Sequence, residues 1–223
     1  MPSTDRANAE TRHNRASSAA IVLLLTLAAT GMAMVWYGVR GPSAPEAPPR
    51  PDAHSSARSS AAPSHPVAPL PAVPPRTIRI PGIGVDSAII RLDSTEDTGM
   101  LPVPQGRDEE KVGWYSTSSA PGAAGTAALV GHLDSRTGPS VFYRLGALRP
   151  GQEIVIERAD GSSVIFTVRG SKAVSKAALT RQDVLGDTQE RSELRLVTCG
   201  GSYVRGKGYD QNVLVYADLV GGR

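Results

Sequence analysis

The 223-residue sequence has a single cysteine, Cys199, which excludes an internal disulfide and leaves stability to the core. In an exported chain a lone thiol is a link between copies, a reactive group or, more blandly, a buried filler. Histidine is almost as scarce, with four in the chain. His13, His54 and His65 fall in the first 75 residues and read as solvated bystanders, which leaves His132 alone beside Cys199 in the remainder. One Cys and one His cannot complete a tetrahedral metal site, so neither metal nor cofactor is expected. Dense Lys/Arg runs with interleaved aromatics are missing too. From Arg76 onward 18 basic residues face 17 acidic ones, so no nucleic-acid footprint is expected. There is no internal repeat, and no strand–helix alternation of the kind a doubly wound sheet needs.

What is present divides the chain into unlike parts. Residues 1–17 are polar and carry Arg6, Arg12 and Arg15, as a cytoplasmic tail would. Residues 18–39, "SAAIVLLLTLAATGMAMVWYGV", hold no charge and match the ~20 apolar residues that span a bilayer. Trp36 and Tyr37 stand where an interfacial aromatic belt belongs, and the arginines put the N-terminus inside. The alternative, a cleaved signal peptide, normally has an apolar core of only ~7–15 residues. The expectation is a single-pass anchor in the cell membrane with the rest of the chain extracytoplasmic. Residues 40–75 are rich in Pro, Ala and Ser and nearly empty of large apolar groups, so they read as a linker with no core of its own. Extended, it reaches roughly 100 Å.

Residues 76–223 have the length of one domain. Short strand patterns dominate. "RTIRI" and "SAIIRL" flank the turn-like "PGIGVD", and "TAALVGHLD" is an apolar run with a polar end. "QEIVIERADGSSVIFTV" reads as a hairpin turning at Asp160–Gly161. "ELRLVTC" and "NVLVYADL" complete the set, while "SVFYRLGAL" and "LTRQDVLGD" offer a helical turn or two each. The expected class is all-β, a closed barrel or sandwich.

His132 and Cys199 each close an apolar strand-like run, "ALVGH" and "LRLVTC". Barrel strands commonly aim their ends at a shared rim, where the two would meet. A free thiol has a pKa of ~8.5, so little thiolate exists at neutral pH without a nearby cation. An imidazolium beside it donates a proton to a leaving amine, which splits an acyl transfer into two steps through a thioester. The blander readings are a core-filling Cys and a surface His.

"LVTCGG" resembles the T-L-x-T-C signature of sortases. "LVGHLDSRTGPSVFYRLGALRPGQEI" resembles the His-bearing segment of class F sortases, the actinobacterial branch. "PGIGVDSAI" and "NVLVYA" are similar to their opening and last strands. The resemblance runs from about Arg76 to Asp218. It implies an eight-stranded β-barrel cysteine transpeptidase on the outer face of a Gram-positive membrane. Such an enzyme cuts an LPxTG-like signal between Thr and Gly in a secreted protein and passes the acyl group to an amine, usually of a cell-wall precursor. It implies Cys199 as nucleophile and His132 as general acid/base, in a chain acting as a monomer.

One position departs from that pattern. The resemblance calls for an arginine on the last strand, and Asn212 stands there. Arg205, in the loop after Cys199, is the candidate to fold back over the site and donate to a carbonyl or oxyanion. Lys207 lies nearby, and Asn212 offers an amide instead. Thr198 is a candidate to line the substrate groove or is simply a β-branched strand residue. Asp134 either orients the imidazole or belongs to a turn, and Arg144 faces the cleft or the solvent. Gly200 and Gly201 loosen the backbone beside the thiol or end the strand. Two other readings stay open: another cell-wall cysteine enzyme such as an L,D-transpeptidase, whose S-H-G-C-like run is absent, and a surface binding module lacking activity.

Overall fold

The computed structural model describes residues 47–51, 67–93, 102–186 and 190–223. The expected cytoplasmic tail, the membrane segment 18–39 and most of the linker lie outside the described residues. Among the described residues no helix is long and apolar enough to cross a membrane.

The strands are β1 (Pro75–Ile80), β2 (Val85–Leu92), β3 (Val112–Tyr115), β4 (Gly125–Val130), β5 (Asp134–Ser135), β6 (Gly138–Pro139), β7 (Glu153–Arg158), β8 (Ser163–Ser175), β9 (Ser192–Val204) and β10 (Gly208–Gly222). Eight of them close a barrel in the order β1-β2-β3-β4-β9-β10-β8-β7, and β5 and β6 pair with each other outside it. Contacts β2–β3 and β4–β9 are parallel, and the rest are antiparallel.

Strand alternation sorts the apolar residues into two layers. Ala127 and Leu129 of β4, Leu194 and Leu196 of β9, and Val213, Val215 and Ala217 of β10 join the main core with Ile78, Ile80, Phe166 and Phe142. Their neighbours Ala128, Val130, Val197, Leu214 and Tyr216 face outward, where Val184 of helix α1 (Arg181–Leu185) and Tyr115 help to cover them. Each such aliphatic or aromatic side chain contributes ~1.5–3 kcal/mol on burial. A capping box starts α1. Asp183 donates its backbone N–H to Thr180 Oγ1 at 3.2 Å, and Thr180 returns its own to Asp183 Oδ2 at 3.0 Å.

Two expectations change. Residues 67–75 of the linker are part of the folded unit. Val67 and Leu70 pack on the core, Leu70 donates its N–H to Gly122 O at 2.8 Å, and Arg158 Nη1 donates to Pro71 O at 3.0 Å. Two large apolar side chains among the prolines suffice for this docking. Cys199 does not close its strand either, because β9 runs on to Val204 and turns back into β10. Gly201 is a bulge here, not a terminus. It has φ +82°, and a Cβ on it would fall 2.1 Å from Asp210 Oδ1. Asp210 Oδ1 instead accepts the Ser202 N–H at 2.7 Å, and the β9–β10 register shifts between Tyr209 and Gln211.

Candidate active site

The β4–β9 ladder leads toward both His132 and Cys199. Its pairs run from Gly125–Ser192 to Val130–Val197, each separated by 67 residues, as His132 and Cys199 also are. The ladder outlasts the formal strand, since Gly131 donates its N–H to Val197 O at 3.1 Å. That bond sets Gly131 beside Thr198, one residue short of His132 and Cys199. With a period of two, Cys199 shares the outer face with Val197, and His132 follows two residues after Val130, where β4 has ended. On the other flank Asn212 of β10 is the register partner of Cys199. The row across β9 and β10 therefore reads Cys199, Asn212, with His132 just past the end of β4.

Beyond Gly131 the chain leaves the barrel. A Cβ on Gly131 would lie 2.7 Å from both Phe142 and Val141, so only glycine lets these segments approach. Phe142 then donates its N–H to His132 O at 2.9 Å and fixes the backbone at the histidine. The imidazole Nε2 is 2.7 Å from Pro104 O. A carbonyl only accepts, so Nε2 carries the proton and Nδ1 is the basic nitrogen of the neutral ring. Tyr115 holds the same proline segment by donating its hydroxyl to Pro102 O at 2.7 Å.

Cys199 is half-buried and free. Burial pushes its thiol upward, the positive charge of Lys176 works against that, and the carboxylate of Asp134 adds to it. Asp134 accepts a short hydrogen bond from the Tyr209 hydroxyl, which links the segment after His132 to β10. Burial, followed by the bond to Asp134, raises the phenol of Tyr209 far above its ordinary value. Tyr203 meets Tyr209 edge-on, with centroids 5.3 Å apart.

The remaining candidates fall as follows. Thr198 is 2 % exposed and alternates with Leu196 into the barrel, away from the face of Cys199, with its Oγ1 unpartnered. That burial matches the β-branched strand reading. Arg205 and Lys207 lie exposed in the turn of the β9–β10 hairpin, closed by Lys207 N–H donating to Val204 O at 2.9 Å. Arg144 lines a cavity of about 440 Å³ with Asp86, Glu110 and Tyr143. Sequence reasoning missed the Pro104 carbonyl, Tyr209 and Lys176. A backbone acceptor leaves no trace in residue type, and the other two come close to Cys199 only through the β8–β10 and β9–β10 pairings.

Among the described residues no group of three or more His, Cys, Asp and Glu is arranged to hold a metal ion. The arrangement suits thiol chemistry: a partly shielded sulfur, an imidazole with a fixed tautomer, and an amide on the opposite side.

Comparison with known proteins agrees. The sortase-domain family model matches residues 78–220. Among solved structures, sortase A from Corynebacterium diphtheriae superposes with a TM-score of 0.52 at 19% identity, covering 67% of this chain and 62% of that one. Its lid mutant gives 0.51 at 22%, covering 68% and 71%. Sortase C2 of pilus island 1 from group B Streptococcus gives 0.50 at 20%, covering 66% and 73%. No curated protein matches. At these identities the superpositions speak for the barrel alone, while the family model spans most of the chain from β1 to β10. The chain belongs to the sortase family of cysteine transpeptidases.

Proposed function

We propose that this protein is a class F-like sortase, held in a Gram-positive cell membrane by residues 18–39 with its barrel outside the cell. It cleaves an LPxTG-like signal of a secreted protein and transfers the acyl group to an amine of a cell-wall precursor. The observation that supports the reading is the constant β4–β9 register, which runs to the residue before His132 and toward Cys199 at the same spacing.

The chemistry follows from that pair. Nδ1 of His132 takes the Cys199 proton, and the thiolate attacks the Thr carbonyl carbon. The carbonyl π electrons move onto oxygen. Arg205, folding back from the hairpin, or the Asn212 amide donates hydrogen bonds to that oxyanion. When the oxyanion collapses, the C–N bond to Gly breaks and His132 protonates the departing amine, leaving a thioester on Cys199. The acceptor amine adds to the thioester carbonyl, loses its proton to His132 and expels the thiolate. Thr198 supports the site by packing beneath it.

The test is incubation of the full chain with a quenched LPxTG peptide and an amine, with Cys199→Ala as control. Mass spectrometry then looks for the acyl-enzyme on Cys199. Thiol-dependent cleavage and a peptide-sized adduct are expected. Failure across several sorting motifs favours a binding module, a second reading supported by Asn212 standing where the resemblance calls for arginine. Arg205→Ala separates the two oxyanion candidates, since near-full turnover removes Arg205.

A further inference from the structure

Cys199 needs a cation. Its thiol is driven up by burial, and its partner across the β9–β10 ladder, Asn212, is neutral. The titratable and charged groups around it come from five places in the fold. His132 follows β4, and Asp134 lies on β5. Tyr209 lies on β10 with its hydroxyl committed to Asp134, and the carboxylate of Asp210, also on β10, is engaged by the Ser202 N–H. Lys176 stands just past the end of β8. Arg205 and Lys207 sit at the hairpin turn beyond Val204.

The geometry of Lys176 is set by the β8–β10 ladder. Val174 pairs with Asn212, which pairs with Cys199, so the three form one row. Val174 packs in the outer cluster with Leu214 and Val197. Lys176 comes two residues later, in the turn that follows β8, and its charge acts on the Cys199 thiol. Its N–H donates to Asp210 O at 3.0 Å, which carries the ladder past Ser175. Its backbone thus lies about 7 Å along and roughly 10 Å across from Cys199, a gap that an extended lysine stem narrows. The side chain is exposed and has no ion pair among the described residues.

We propose that the Lys176 ammonium holds the Cys199 thiolate, supplying from β8 a positive charge that β10 does not provide at Asn212. The proposal rests on Cys199 being the nucleophile. Its role is electrostatic and distinct from that of Arg205, which addresses the oxyanion.

The experiment measures the rate of iodoacetamide alkylation of Cys199 against pH in the full chain. No peptide is needed, so the result is independent of whether a sorting signal is cleaved. Lys176→Met is expected to move the midpoint up by about half a pH unit, with roughly threefold slower alkylation near neutrality. Lys176→Arg should keep the midpoint. High salt should narrow the gap between wild type and Lys176→Met. Lys176→Gln serves as a second neutral variant should the Met substitution disturb folding. Coincident profiles for wild type and both neutral variants overturn the proposal, as does an equal upward shift in Lys176→Arg. Should the shift appear while every peptide remains uncut, the ion pair stands and the transpeptidase reading falls.

Discussion

Tyr209 donates its hydroxyl hydrogen to Asp134, joining the segment that bears His132 to the strand that flanks Cys199. The carboxylate so held acts on the thiol and disfavours the thiolate. Asp134→Asn retains an acceptor for Tyr209 but removes the charge. The alkylation midpoint of Cys199 should therefore move down, with faster reaction at neutral pH. A midpoint that stays or rises contradicts this account.

Tyr115→Phe tests the support beneath the histidine. It removes the bond to Pro102 O and loosens the segment that carries the Pro104 carbonyl. The cost in stability should be modest, about 0.5–1.5 kcal/mol by urea denaturation. Peptide turnover should fall more than that cost implies, because the tautomer of His132 is no longer enforced.

A buried ion pair sits at the other end of β9. Arg195 Nη2 lies 2.8 Å from Glu193, both residues are about 95% buried, and the guanidinium stacks 4.2 Å from the Tyr216 ring centre. Glu193→Ala strands that cation and should destabilise the fold by ~3–5 kcal/mol, seen as a lowered urea midpoint. A change within a few tenths of a kcal/mol would show that Arg195 finds another partner.

Acid should weaken α1. Lys172 and then Thr180 hold the Asp183 carboxyl down at about 2. The stabilisation is present above the ordinary carboxylate range near 4 and is lost as pH falls through about 2. Asp183→Asn should lower Tm at neutral pH, and the difference from wild type should shrink toward pH 2. A constant difference would assign the effect to the helix cap alone.

The hairpin at Asp160–Gly161 and the strands around "RTIRI", "ELRLVTC" and "NVLVYADL" were legible because apolar alternation is local. The short β3, β5 and β6 were not, since their pairing partners lie elsewhere in the chain. "TAALVGHLD" reads as one run, yet β4 stops at Val130 because Gly131 is pressed against Phe142. Cys199 and His132 stood out by scarcity alone. Their alignment is a matter of register, which residue types do not encode.

The strap from Val67 to Pro74 gives the barrel a mechanical character. Tension arriving along the preceding chain does not peel β1 directly. It first loads the Leu70–Gly122 and Arg158–Pro71 bonds, and then the bond from Ala159 N–H to Pro74 O. Three hydrogen bonds and two apolar side chains thus stand between a pull on that chain and the first barrel strand.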